Sequence, residues 1–224
     1  MEASEKIKAL EASLNEKNAL LKEVYHRMKN NLQVIVSLIN LQIDSIDNHL
    51  AKKILIESNN RIKAMALVHE TFYQSGNLAE IEMHDYINQL VRFLVNAYNI
   101  NEVSTRLVVN ANPISLPVDD AILCGLIINE LITNAIKYAF PTHKTGQITV
   151  SLEESSEQTV KMSVKDNGIG LSNSFDLDNN KTLGMRLITN LAKQLGGKVR
   201  VKNDHGACFT IIFLPTIKRG DYAG

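Results

Sequence analysis

Four prolines, eleven glycines and two cysteines are all that this 224-residue chain carries of the residues that break, bend or staple a fold. Neither cysteine suits a disulfide, because Cys124 and Cys208 both sit in apolar runs, where a small thiol belongs to a core in a reducing compartment. Excess charge of one sign is missing too. Lys plus Arg equals Asp plus Glu at 24 each, so no global field draws nucleic acid or an anionic membrane, and an anionic ligand must be bound locally. No apolar run approaches the ~20 residues needed to span a bilayer, and the N-terminus has charges where a signal peptide would be apolar. The expectation is a cytoplasmic protein with no nucleic-acid partner and no direct membrane insertion. Repeats and low-complexity tracts are absent. The remainder, 45% hydrophobic and 21% charged, is ordinary for a folded chain and excludes general disorder.

The first third is helical by every local rule. Ile7, Leu10, Leu14, Leu21, Val24 and Met28 recur at coiled-coil spacing, interrupted at Lys17, and no glycine or proline intervenes through Gln42. Asp44 to His49 is the first turn, and a second helix over 51–74, with Ile62, Met65, His69 and Phe72 on one stripe, folds back as an antiparallel hairpin. Within the first helix His26, Lys29, Asn30, Gln33, Ser37, Asn40 and Asp44 form a polar stripe, so His26 faces water or a partner. Taken alone, such a histidine is a surface residue.

After Gly76 helices mix with strands, which marks a domain boundary. Helices are expected over 85–98, from Ser115 to Ala139 with Pro117 in the first turn, and over 182–195. Strands are expected over 103–109, 146–152, 160–166, 199–201 and 207–214, giving an α+β sandwich. The apolar helix ending at Ala139 carries Glu130, Asn134 and Lys137 on one face. In the strand ending at Asp166, that carboxylate shares parity with Val160, Met162 and Val164 and so points into the buried face. An unpaired buried carboxylate costs several kcal/mol. No donor nearby in sequence matches it, which makes a ligand amino group a candidate. Gly168 and Gly170 follow, then a polar segment, then Thr182-Leu183-Gly184-Met185 opening a helix whose free N–H groups suit phosphate oxygens.

These blocks resemble the N, G1 and G2 boxes of the Bergerat ATP-binding fold, a left-handed βαβ sandwich shared by histidine kinases, type II topoisomerases, Hsp90 and MutL. The run from Asn129 and Glu130 through Tyr138 to Ala139 is similar to the N box, Asp166–Gly170 to the G1 box and Thr182–Met185 to the G2 box. The resemblance implies ATP and Mg²⁺ as ligands. Asn134 would ligate Mg²⁺, Asp166 would accept from the adenine amino group, Lys137 would neutralise phosphate, and Gly184 would offer backbone N–H groups. Tyr138, Lys181, Thr182, Leu183 and Met185 complete the nucleotide set, and Glu130 is the acid of the N box. His26-Arg27-Met28-Lys29-Asn30-Asn31-Leu32-Gln33, with Arg61 through Glu70, is similar to the phosphoacceptor region of the HisKA_2 histidine kinases.

That resemblance implies autophosphorylation of His26, transfer to a response-regulator receiver domain, a homodimeric four-helix bundle and an upstream sensor domain. The expected domains are a coiled-coil signal helix over 1–24, the histidine hairpin over 25–76, the ATP-binding domain over 77–216 and a tail over 217–224. Arg27 departs from the common pattern of an acid after the histidine. Folding the hairpin about 47–48 sets His69-Glu70 beside His26-Arg27, so Glu70 is expected to supply that acid directly or through Arg27. His69 is a core histidine and the runner-up acceptor, while His49, His84, His143 and His205 lack metal-site spacing. Two other readings stay open: an ATP-independent histidine phosphotransferase, and a Bergerat-fold serine kinase or ATPase with Glu130 as base.

Overall fold

The computed structural model describes residues 2–75, 80–98, 100, 105–141, 145–155, 158–172, 175–177, 179 and 182–216. The chain divides into two compact units, Met1–Glu80 and Ile81–Gly224.

The first unit is a hairpin of α1 (Glu2–Ser45) and α2 (His49–Ser75), so the expected turn shrinks to residues 46–48. Asn48 stops and restarts the chain: its Oδ1 accepts from the Ala51 N–H at 3.0 Å and its carbonyl from Lys52 N–H at 2.9 Å, capping α2. The buried residues of α2 differ from the expected stripe. Asn60, Ala64, Val68 and Thr71 are buried, whereas Ile62 and Met65 are half-buried, and the side chains of His69 and Phe72 lie outside the described residues. Much apolar surface of the hairpin stays open in a single copy, including Leu21, Val24, Met28, Ile35, Leu38 and Leu41 on α1.

The second unit begins with β1 (Glu80–Glu82), α3 (Met83–Ala97), β2 (Thr105–Ala111), β3 (Ser115–Pro117) and α4 (Val118–Tyr138). It continues with β4 (Gly146–Glu154), β5 (Val160–Asp166), α5 (Leu183–Gln194), β6 (Lys198–Asn203) and β7 (Ala207–Phe213). The strands β1 and β3, which the sequence pattern missed, form a two-stranded sheet; each is three residues, too short for alternation to register. Pro117 accordingly sits at the N-cap of α4 and ends β3, so the helix starts at Val118 rather than near Ser115. Helix α3 starts earlier than expected because Glu82 accepts from His84 N–H at 3.0 Å and Asp85 N–H at 2.7 Å.

The main sheet has the order β2-β4-β5-β7-β6, with β2 parallel to β4 and the other pairs antiparallel. Its inner face is apolar: Ile148, Val150 and Leu152 of β4 and Val160, Met162 and Val164 of β5 are buried against the helices. Lys161, Ser163 and Lys165 point to the other, polar face. Helix α4 is the centre of the helical layer, touching α3, α5, β3, β4 and β5. By length and composition it is apolar enough to cross a membrane, yet 67% of its most apolar window is buried within this fold, as in the core helix of an α/β layer. Its first turn is tied to the far end of the chain: the Asp120 carboxylate accepts from the N–H and hydroxyl of Thr216, both at 2.7 Å. Cys124 and Cys208 are both free and buried.

Where α3 crosses α4 the packing leaves no slack. A Cβ on Gly125 would collide with the Tyr86 phenol, which is 0% exposed and whose oxygen has no hydrogen-bond partner among the described residues. Burial pushes the Tyr86 phenol and the neighbouring Cys124 thiol far up, so both stay neutral. Tyr86→Phe therefore removes an unpaired buried hydroxyl and is expected to raise stability by about 1 kcal/mol. Gly125→Ala is expected to lower it by about 1–3 kcal/mol despite the better helix former. Urea denaturation of the two variants and the double variant checks this: part of the Gly125→Ala loss returns when Tyr86 is Phe.

Candidate functional site

Asp166 closes β5 and is 7% exposed, on the same face as Val160, Met162 and Val164. Its Oδ1 is held from both sides, by the Gly168 N–H at 2.9 Å and the Ala207 N–H at 3.1 Å. Backbone donors thus meet this oxygen, one of them, Gly168, only two residues on, which corrects the expectation that no donor nearby in sequence matches it. Among the described residues Oδ2 accepts no hydrogen bond. The loop after Asp166 is lashed to the end of α4. Ile169 N–H donates to the Ala139 carbonyl at 3.0 Å, and a Cβ on Gly168 would strike that same carbonyl. Asn167 bridges to β4, its N–H donating to the Gln147 carbonyl at 3.1 Å and its Oδ1 accepting from Gln147 N–H at 2.6 Å. Gly170 has φ +73, a left-handed turn that favours glycine.

Helix α4 and the start of α5 meet. Glu130 is 4% exposed, with Oε1 accepting from Asn129 Nδ2 at 3.1 Å. A Cβ on Gly184 would come to 3.1 Å from Glu130 Oε2 and to 3.8 Å from Asn134 Nδ2. Glycine there brings the first turn of α5 directly against the two N-box side chains. Among the described residues the buried Asn134 Nδ2 and Asn129 Oδ1 have no hydrogen-bond partner, and such orphaned polar atoms call for a ligand or water. Lys137 is half-buried one turn further, while Tyr138 and Leu183 are 66% and 63% exposed at the rim. Met185 is buried under α5 and packs the core rather than lining the opening. Thr182 stands at the N-cap of α5, but its side chain makes no capping hydrogen bond. Lys181 lies outside the described residues. No cluster of three or more His, Cys, Asp or Glu able to hold a metal occurs among the described residues.

In the first unit His26 is exposed on α1, with its Nδ1 3.4 Å from Asn30 Nδ2, one helical turn away. The expected pairing of Glu70 with Arg27 does not form. Glu70 Oε1 accepts from Lys29 Nζ at 2.8 Å, and Arg27 Nε donates to Glu23 Oε1 at 2.8 Å along the same helix. The cause is register: Lys29 faces Glu70 and Asn40 faces Asn59, so the hairpin folds about 49–50 and position 73, not 69, is level with His26.

The turn between β6 and β7 was not picked out by the sequence reading, yet it supports the Asp166 loop. Asn203 Oδ1 accepts from Leu171 N–H at 2.8 Å and its Nδ2 donates to the Leu171 carbonyl at 2.9 Å. Asp204 receives Lys165 Nζ at 2.7 Å, and Gly206, at φ +133, lies so close to the Asp166 backbone that a Cβ would strike its carbonyl. Asn203-Asp204-His205-Gly206 reads as a turn in the sequence, but nothing local says what the turn touches.

Comparison with known proteins agrees with both halves. The HisKA_2 family model, described as histidine kinase, matches residues 23–98. The HATPase_c model, described as histidine kinase-, DNA gyrase B-, and HSP90-like ATPase, matches residues 119–217. The sensor histidine kinase PdtaS of Mycobacterium tuberculosis is 28% identical over 203 residues, covering 88% of this chain and 39% of that protein. PdtaS of Mycolicibacterium smegmatis is 31% identical over 188 residues, 83% of this chain and 37% of that protein. Blue-light-activated histidine kinase 2 of Erythrobacter litoralis is 28% identical over 186 residues, 81% and 52% respectively. The chain thus spans about two fifths of the length of the PdtaS proteins it matches. Among solved structures, the histidine kinase domain of the Erythrobacter litoralis blue-light activated kinase EL346 superposes with TM-score 0.67 at 24% identity, covering 92% of this chain and 95% of that one. At that identity the likeness shows the fold.

The Lys165–Asp204 contact has a titration signature. The Lys165 ammonium, with His205 and Lys202, holds the Asp204 carboxyl below its ordinary 3.8, and Asp204 in turn raises Lys165 above 10.5. The Asp204 contribution is therefore present above pH 3.8 and lost as pH falls through the depressed value; that of Lys165 is lost only as pH rises through its own raised value. In Lys165→Met the Asp204 carboxyl, followed by carbon-13 NMR, is expected to titrate higher, toward 3.8. An unmoved titration shows that the pair does not persist in solution.

Proposed function

The chain belongs to the histidine kinases, and from that membership we propose that it is a sensor-kinase core that phosphorylates its own His26 from Mg-ATP. The phosphoryl group then passes to an aspartate on the receiver domain of a response regulator. Two observations support this best: the buried Asp166 carboxylate with only its Oδ1 hydrogen-bonded among the described residues, and Gly184 set against Glu130 and Asn134, whose Nδ2 has no partner among them. Asp166 Oδ2 suits the exocyclic amine of adenine, since its sister oxygen is already satisfied and the carboxylate is buried. The first turn of α5 and Lys137 suit the phosphates. Asn134 and Glu130 supply the oxygens near which Mg²⁺ would sit, and when bound that ion neutralises phosphate charge.

In the reaction one imidazole nitrogen of neutral His26 attacks the γ-phosphorus, a P–N bond forms as the bond to the β–γ bridging oxygen breaks, ADP leaves and the ring proton is released. Glu23 and Glu70 already hold Arg27 and Lys29. The open apolar side of the hairpin favours a homodimeric four-helix bundle. We assign the segment before residue 25 to relaying an upstream sensor domain, place the protein in the cytoplasm, and take residues 25–76 and 77–216 as the phosphoacceptor and ATP-binding domains, with a tail over 217–224.

Incubation with γ-labelled ATP and Mg²⁺ is expected to label the wild-type chain with an acid-labile, base-stable phosphoryl group. His26→Ala abolishes the label. Asp166→Asn keeps Oδ1 for its two backbone donors but puts an amide where the adenine amine needs an acceptor. It is expected to fold yet lose nucleotide affinity by at least about tenfold. Acid-stable label, or full label on His26→Ala, overturns the proposal.

A further inference from the structure

We propose that Asn203 is a positioning residue for nucleotide binding, acting through Leu171; this rests on the nucleotide reading of the Asp166 loop. The loop from Asp166 to Leu171 is fixed at three places. Its start is held by Ala207 N–H on Asp166 Oδ1, its middle by the Ala139 carbonyl and by Gln147, and its exit by Asn203 alone among the described hydrogen bonds. The exit is where restraint is most needed. Gly170, with φ +73, swings the backbone out of line, and beyond Leu171 the chain runs through a polar stretch before reaching the start of α5.

Asparagine suits this position for a chemical reason. Its side-chain amide accepts the Leu171 N–H and donates to the Leu171 carbonyl, as a neighbouring strand would, at the point where edge strand β6 ends. A carboxylate can accept but not donate, and alanine does neither. The clamp also fills the space next to Gly170: a Cβ there would come to 2.8 Å from Asn203 Oδ1. Asn203 is itself exposed and packs no core, so its removal should loosen the loop exit without emptying the interior. Asn203 lies 37 positions beyond Asp166 and makes no hydrogen bond to any N-box residue.

The test uses the full chain as wild type, Asn203→Ala and Asn203→Asp. Titration calorimetry with Mg²⁺ and the ATP analogue carrying an imido group between the β and γ phosphorus atoms gives Kd, and His26 phosphorylation gives KM and kcat. Asn203→Ala is expected to raise Kd and KM about tenfold, with kcat at saturating ATP within about twofold. Asn203→Asp keeps the Leu171 N–H bond and falls between. Amide exchange at Leu171 is expected to speed up in Asn203→Ala and less in Asn203→Asp. Should Asn203→Ala fail to fold, the Asn203→Asp pair of readings decides alone. Unchanged KM and Kd, with or without a lower melting temperature, overturn the proposal while leaving the nucleotide reading standing. A wild-type chain that binds no nucleotide overturns both.

Discussion

A carboxylate in an apolar layer has to be satisfied, and the architecture of the second unit is arranged around that requirement at Asp166. An isolated buried charge costs several kcal/mol. Here one oxygen is met by two backbone N–H groups brought from different parts of the chain, Gly168 just after it and Ala207 across the sheet. Meeting that need constrains β7 to begin beside the end of β5 and requires Gly206 to pass against the Asp166 backbone. The second oxygen is left over. A stable fold with half a carboxylate unspent is a specific acceptor, because geometry is fixed by the satisfied half.

Helix α4 meets the complementary requirement. Most of its surface is core, and that burial is what allows Glu130 and Asn134 to be held without side-chain freedom at the edge of the apolar layer. Gly184 then matters for its lack of a side chain: the N-terminus of α5, with its unsatisfied N–H groups, comes up against Glu130 and Asn134. The Glu130 carboxylate lies in the favourable field of that helix N-terminus, while the Asn134 amide nitrogen beside it has no hydrogen-bond partner among the described residues.

Much of this was legible in the chain because the signals were local. Parity alone placed Asp166 among Val160, Met162 and Val164, and helical spacing alone grouped Glu130 with Asn134 and Lys137. What escaped was set by contacts distant in sequence. Asn203 and Gly206 act on Leu171 and Asp166, and a turn motif carries no information about its partner. The three-residue strands β1 and β3 are below the length at which alternation can be seen. The start of α4 was misplaced because Pro117 fits the first turn of a helix and the end of an edge strand equally well.

The hairpin register shows how small an error in one loop redirects the chemistry. An antiparallel pair of apolar helices tolerates sliding; a buried polar pair does not. Asn59, 3% exposed, donates to Asn40 at 2.7 Å, and the same register brings Lys29 to Glu70. Placing the fold about two positions earlier had put Glu70 beside Arg27 and made it an acid for His26. In the actual register Glu23 and Glu70 each hold a cation, and the neutral amide of Asn30 lies 3.4 Å from His26 Nδ1. A base is scarcely required if the nucleophile enters as neutral imidazole, since its attacking lone pair carries no proton. The arginine that breaks the common pattern forms a solvent-facing ion pair with Glu23, one turn back on its own helix, and so stands apart from the Lys29–Glu70 contact between the helices.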